Sequence, residues 1–207
     1  MKYNLDHLTQ DSKQDVLGPV QDDEALLLFA MIRCCLIKNV LEIGGLAGYS
    51  AKNFCEALSY RKDGKVFSVD INRTEKQADN HVSIEMDAKN LTGADVENLK
   101  LGLVFFDCHD DAVELAVYNR LTADGCIDDD TILALHDTNL HPVKLCVAKY
   151  QIDDGWIHQA SERMVVNELK SRGYDCVSFH TKMSDHNESL PFRHGLTICK
   201  KFKTLKV

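Results

Sequence analysis

The 207-residue chain has no apolar stretch near the ~20 residues that would cross a bilayer. Its strongest apolar run, 25–37, is broken by Arg33 and preceded by Asp22, Asp23 and Glu24, which suits a buried helix with an acidic first turn. The opening Met1-Lys2-Tyr3-Asn4-Leu5-Asp6 lacks a signal-peptide core, so a cytoplasmic location is expected. Positive charge is also scarce. With 24 Lys and Arg against 32 Asp and Glu the net charge is −8, which argues against a surface that tracks nucleic acid or anionic membrane. Lysines 200, 201, 203 and 206 read as a solvated tail. Eight cysteines contain no C-x-x-C pair and are scattered through apolar segments, so they are expected as small buried hydrophobes. Cys108 stands apart because it follows a strand-end aspartate. There is no internal repeat, no low-complexity tract, and only one tryptophan, Trp156, which suits either a pocket wall or the core.

What is present is ordinary globular composition, 44% hydrophobic and 27% charged, in a chain long enough to bury about 70% of its unfolded surface. Residues 1–20 are polar, carry Gly18-Pro19 and read as an arm or lid; 21–207 read as one domain. Apolar β-like runs near 39–43, 65–70, 82–86, 101–107, 131–136, 174–180 and 194–201 alternate with helical patterns. Those fall near 21–38, 48–59, 73–79, 88–98, 110–122 and 159–172. Such alternation predicts an α/β fold, a mostly parallel seven-stranded sheet with helices on both faces. The polar loop 182–191 carries too little helical pattern for a crossover, so the last two strands are expected to be antiparallel.

The densest signal lies at Val40-Leu41-Glu42-Ile43-Gly44-Gly45-Leu46-Ala47-Gly48-Tyr49-Ser50, an apolar strand ending in an acidic residue and a glycine turn before a helix. In an open α/β sheet this strand end is where a nucleotide-like ligand settles, and glycine lets backbone approach it. The second strand ends in Asp70, placed for a ribose diol. The dinucleotide fingerprint wants a glycine where Leu46 stands, and Glu42 would repel a pyrophosphate but serve an ammonium. Glu42, Gly44, Gly48, Tyr49 and Ser50 match acidic-x-Gly-x-x-x-Gly-Tyr-Ser. On these residues the chain resembles class I S-adenosylmethionine-dependent methyltransferases, especially the catechol-type and macrocin-type O-methyltransferases, over roughly residues 20–201.

That resemblance implies a Rossmann-like three-layer α/β/α sandwich with a reversed last strand. It implies a cofactor site of Glu42, Gly44, Gly45, Gly48, Tyr49, Ser50, Asp70, Ile71, Asp87 and Asp107. Each has a plainer alternative, since Asp70 and Asp87 also suit helix caps. For the chemistry, Asp107-Cys108-His109-Asp110-Asp111 and His136-Asp137-Thr138-Asn139 end adjacent strands. Catechol-type relatives hold a divalent cation such as magnesium here, which points to Asp107, Asp137 and Asn139, with Asn139 displaced by Thr138. His136-Asp137-Thr138 is closer to the macrocin-type pattern, and His136, Asp137 and His109 are the catalytic candidates. His141 and His158 lie further back, and Arg193 and His194 precede the last strand. The expected activity is methyl transfer to a hydroxyl of a small molecule or sugar. A homodimer through the apolar N-terminal helix is a further expectation. An NAD-type oxidoreductase and a non-catalytic ligand-binding module are the alternatives.

Overall fold

In the computed structural model, residues 20, 22–138, 151–152, 155–156, 161–179 and 195–202 are described. The expected arm lies almost wholly outside them, as do Asn139, His141, His158, Arg193, His194 and the side chain of Trp156. The described strands are β1 (Asn39–Ile43), β2 (Lys65–Asp70), β3 (His81–Glu85), β4 (Leu103–Phe106), β5 (Ile132–His136), β6 (Gln151–Ile152), β7 (Gly155–Trp156), β8 (Asp175–Phe179) and β9 (Leu196–Lys200). The α-helices are α1 (Asp22–Cys34), α2 (Tyr49–Leu58), α3 (Asp111–Ala123) and α4 (Ser161–Ser171). None is long and apolar enough to cross a membrane.

Seven strands form one sheet in the order β3-β2-β1-β4-β5-β9-β8, with β6 and β7 paired separately. β1 to β5 run parallel, and β9 is antiparallel to both β5 and β8. This is the expected sheet, reversed only at its last strand.

The layers follow from the apolar stripes. Ala25, Leu28, Phe29 and Ile32 recur at helical spacing on α1 and pack with Phe54, Ala57 and Leu58 of α2 over Val40, Val66, Leu103 and Phe105. Val117, Tyr118 and Leu121 of α3, with Val165, Val166 and Leu169 of α4, cover Leu41, Phe67, Val104 and Phe106 on the other face. Phe54 meets Phe105 edge-on, ring centroids 5.4 Å apart. Burying one such ring contributes about 1.5–3 kcal/mol.

Two expected helices do not form. Residues 73–77 have no regular structure. Arg73-Thr74-Glu75-Lys76-Gln77 offers no apolar stripe, Thr74 is buried, and the Gln77 N–H donates to His81 Nδ1 at 3.0 Å. In place of a helix over 88–98 there are two 3₁₀ turns, Ala88–Asn90 and Gly93–Val96. A capping box between Thr92 and Asp95 starts the second, and Glu97 and Asn98 close it in left-handed conformations. Among the described residues the cysteines divide three ways: 55, 126 and 199 are buried as expected, 108 and 176 partly so, and 34 and 35 are exposed; Cys146 lies outside the described residues.

Candidate functional site

Parallel strands bring the carboxyl ends of β1, β2, β3 and β4 to one edge, and a cleft of about 610 Å³ runs along it. Ile43, Gly44 and Leu46 line it after β1, 69–72 after β2, 86–89 after β3 and 107–110 after β4, with Val113 from α3. Its size lies within the usual range for small-molecule sites.

The turn after β1 is built by close approach. Gly44 adopts φ +95°, and a Cβ there would lie 2.3 Å from the Asp107 carbonyl oxygen. Only glycine lets the first turn lie against the fourth strand end. Leu46, at the position where dinucleotide proteins want glycine, itself takes a positive φ of 36°. Its N–H donates to Asp70 Oδ2 at 2.9 Å, and the Asn72 N–H donates to Asp70 Oδ1 at 2.9 Å. Asp70 thus ties the β2 end to the glycine turn while itself lining the cleft. Beside it Ile71 and Leu46 leave large apolar surfaces exposed at 71% and 65%.

Asp87 caps the first 3₁₀ turn, accepting the Lys89 N–H at 3.1 Å and facing Lys89 Nζ at 2.5 Å. Those bonds hold its pKa below the ordinary carboxylate value. Asp110 caps α3 by accepting the Ala112 and Val113 N–H groups, each at 3.1 Å. Four carboxylates, of Asp70, Asp87, Asp107 and Asp110, therefore line the cleft against one lysine, Lys89.

Glu42 is elsewhere. It lies fully buried between β1 and α2, outside the cleft lining. Ser50 and Ser68 donate their hydroxyls to its two oxygens, Ser68 at 2.5 Å. Because His81 Nδ1 accepts from Gln77, His81 Nε2 carries the proton and meets Ser68 Oγ at 2.9 Å. Burial pushes Glu42 up from 4.5 to about 7; the two serines pull it back and Asp107 and Asp70 push it further. Gly45, Gly48, Tyr49 and Ser50 also lie outside the lining. They shape the turn and the start of α2, whose N-cap is Gly48 at φ +82°.

The β4 and β5 ends carry the remaining candidates. His109 and Asp137 both take left-handed conformations, φ 58° and 55°, unusual for residues with side chains. One ligand atom from each of Asp107, His109 and Asp137 lies within 4.8 Å of the others. His136 is 1% exposed and does not line the cleft. Its Nδ1 is 3.1 Å from both Asp107 Oδ1 and Asp137 Oδ1, and its Nε2 is 3.3 Å from Glu24 Oε2 on α1. Burial disfavours the charged ring, yet Asp137, Asp107 and Glu24 outweigh it and hold His136 well above its ordinary pKa. An imidazolium enclosed by three carboxylates has no lone pair for an acceptor's proton, so the geometry makes His136 a charge partner and not the base that its strand-end position suggested. Asp137, 4% exposed, is likewise set behind the cleft.

His109 does face the cleft. Burial lowers its pKa, but Glu162, Asp137 and Asp107 outweigh that and raise it. Cys108 donates its thiol to Glu114 at 3.5 Å. Burial and that carboxyl push the thiol up, which removes it as a nucleophile near neutral pH. Glu24, Glu114 and Glu162 were not singled out in the sequence. The signal was there: Glu114 heads the stripe 114, 117, 118, 121 on α3, and Glu162 heads 162, 165, 166, 169 on α4.

Residues 3–90, rather less than half of the chain, match the model of the O-methyltransferase family. No curated protein matches the chain in sequence. Among solved structures, a provisionally named caffeoyl-CoA O-methyltransferase from Staphylococcus aureus aligns with TM-score 0.68 at 16% identity, covering 97% of this chain and 93% of its own. The O-methyltransferase TomG from Streptomyces achromogenes, solved with S-adenosylmethionine, aligns at 0.61 and 16% identity, covering 98% and 92%. An O-methyltransferase from Bacillus cereus, solved with S-adenosylhomocysteine, aligns at 0.60 and 15% identity, covering 94% and 89%. The family match over residues 3–90 agrees with the resemblance drawn from the glycine turn, and the fold is that of these solved O-methyltransferases.

Proposed function

We propose that this chain transfers the methyl group of S-adenosylmethionine to a hydroxyl of a small-molecule or sugar acceptor. The observation that carries this is the acidic cleft at four consecutive strand ends, closed by a glycine turn pressed on Asp107. Four carboxylates attract a sulfonium and an ammonium and repel a pyrophosphate, which disfavours a nicotinamide dinucleotide. Asp70 accepts the ribose hydroxyls, Ile71 covers the adenine, and Asp87 is within the same lining for its amino group. The O-methyltransferase family match over residues 3–90, which holds the turn, Asp70 and Asp87, supports the same cofactor. The left-handed His109 lining that cleft and Asp137 behind it favour chemistry over a non-catalytic module.

The chemistry is displacement at carbon. The acceptor oxygen bonds to the methyl as the sulfur–carbon bond breaks, its electron pair stays on sulfur, and the acceptor's proton must leave. Alignment in the cleft supplies several kcal/mol of barrier reduction. Of the two imidazoles His109 is the one that lines the cleft, and it receives that proton only in its neutral form, which the neighbouring Glu162, Asp137 and Asp107 disfavour. Asp107, His109 and Asp137 also fit a divalent cation, magnesium or manganese by the two carboxylates. Such a cation would supply positive charge that acidifies the acceptor. A ring bound to a cation cannot also take a proton, so turnover with and without a chelator assigns His109 one role. Asn139 lies outside the described residues as a third oxygen donor.

The proposal includes a cytoplasmic setting, a single domain over 21–207 and a homodimer through α1, where Leu26 is 44% exposed. Light scattering tests the dimer. Calorimetry tests the cofactor: S-adenosylmethionine and S-adenosylhomocysteine should bind and NADH should not. Binding of NADH alone would overturn the function.

A further inference from the structure

Glu162 has no part in the chemistry above, yet its carboxylate is buried against His109. It stands in the first turn of α4, far in sequence from the β4 end, and its side chain is 1% exposed. A single oxygen, Oε1, accepts the backbone N–H of His109 at 3.1 Å and lies 2.8 Å from His109 Nδ1. One carboxylate oxygen has lone pairs enough for both donors, so the arrangement is satisfied when Nδ1 carries a proton. It fixes two things together. The backbone bond holds His109 in the left-handed conformation, φ 58°, that its side chain would otherwise disfavour. The ring bond turns Nδ1 inward and leaves Nε2 on the side of Asp107, 3.9 Å from Oδ1, where both residues line the cleft. Asp137 Oδ2 stands further off from Nδ1, at 3.4 Å.

We propose that Glu162 is a positioning residue: its carboxylate sets the rotamer and backbone of His109 so that Nε2 is presented to the acceptor side of the cleft. Glu162 is absent from the cleft lining and so acts through His109 alone. The logic is that of a base or ligand imidazole oriented by a third group through its other nitrogen. Only the use made of Nε2 rests on the methyltransferase function; the ring's orientation does not.

The test joins a spectroscopic readout to kinetics. In the wild-type protein labelled with ¹⁵N-histidine, the His109 ring, identified as the signal lost in His109→Asn, should show a hydrogen-bonded proton on Nδ1. A bare Nδ1 with the proton on Nε2 overturns the proposal, whatever the activity. Glu162→Gln keeps an acceptor oxygen and should keep both the Nδ1–H signal and most of the turnover. Glu162→Met, similar in length without an acceptor, should lose the signal and lower kcat by about a hundredfold, with the S-adenosylmethionine Kd little changed. An unaltered ring signal or unaltered kcat in Glu162→Met refutes it. Should that variant fail to fold, the wild-type ring spectrum alone decides. Wild-type protein with the expected ring but no methyl transfer would instead overturn the function and leave the positioning intact.

Discussion

Glu42→Gln is the perturbation whose size the structure fixes best. Register sets Glu42 of β1 beside Ser68 of β2, and the start of α2 lays Ser50 over it, so the carboxyl is wholly enclosed. Its pKa rises from 4.5 to about 7, burial being the largest cause. Between those values the folded protein holds a proton that the unfolded chain has released. Stability from this group is therefore fully present below about pH 4.5 and is lost as pH rises through about 7. Once the carboxyl is ionised the loss amounts to about 3 kcal/mol, a large share of a typical folding free energy. Glutamine keeps an acceptor for one serine and a donor for the other hydroxyl, and it never ionises. Urea unfolding of both proteins at about pH 4.5 and about pH 8.5 should show Glu42→Gln gaining about 3 kcal/mol on wild type between the two. Using the difference cancels every other titrating group. If the gap between the proteins is the same at both pH values, Glu42 is ionised throughout and the burial argument fails.

Gly44→Ala should abolish cofactor binding and destabilise the fold by more than about 1 kcal/mol, because a Cβ meets the Asp107 carbonyl and the positive φ is strained; normal calorimetry would refute this. Asp70→Ala should weaken S-adenosylmethionine by about 1–3 kcal/mol in the same assay, since both the ribose acceptor and the two N–H ties at Leu46 and Asn72 are lost. His136→Asn should lower stability by about 3–5 kcal/mol in urea, since Asp107, Asp137 and Glu24 lose their shared cation. Asp137→Ala should cut turnover while cofactor affinity stays nearly the same, and normal turnover would remove it from the site.

The central strands β1, β2, β4 and β5 were legible because they are largely apolar, are buried on both faces and stop at polar residues or glycines. β1 and β2 fall at 39–43 and 65–70 as expected. The segments 73–79 and 88–98 were not, because their polar composition is compatible with a helix but supplies no stripe to dock one. Strand-end position made Asp70, Asp87, Asp107 and His109 legible as cleft residues. Depth was a different matter. Glu42 points to the α2 face while Leu41 and Ile43 point to the other, but in a sheet buried on both sides neither direction means solvent. His136 looked like a base from its place beside Asp137; only the approach of Glu24 from α1, more than a hundred residues away in sequence, encloses it.

Helices α1, α3 and α4 share one departure from a clean amphipathic pattern. Each begins its buried stripe with a glutamate, Glu24, Glu114 or Glu162, where a leucine would pack with no electrostatic penalty. Such acids are weak evidence for stability, since removing a carboxylate from water costs several kcal/mol before any partner repays it. Glu114 illustrates the cost: burial, with Glu162 nearby, holds it well above the ordinary carboxylate value, and it stays neutral. The other two are retained as partners of imidazoles, Glu24 with His136 and Glu162 with His109. Both imidazoles belong to the β4 and β5 ends, where His109 and Asp137 are also strained. Buried acids concentrated at one edge of the sheet, with the left-handed His109 and Asp137 among them, are what a site optimised for geometry over stability would show. The same argument ranks substitutions. Glu114→Gln should leave the fold at least as stable, because it replaces an already neutral acid, whereas Glu24→Gln should weaken it by removing one of the charges that hold His136 protonated. Equal effects of the two in urea unfolding would contradict this division of roles.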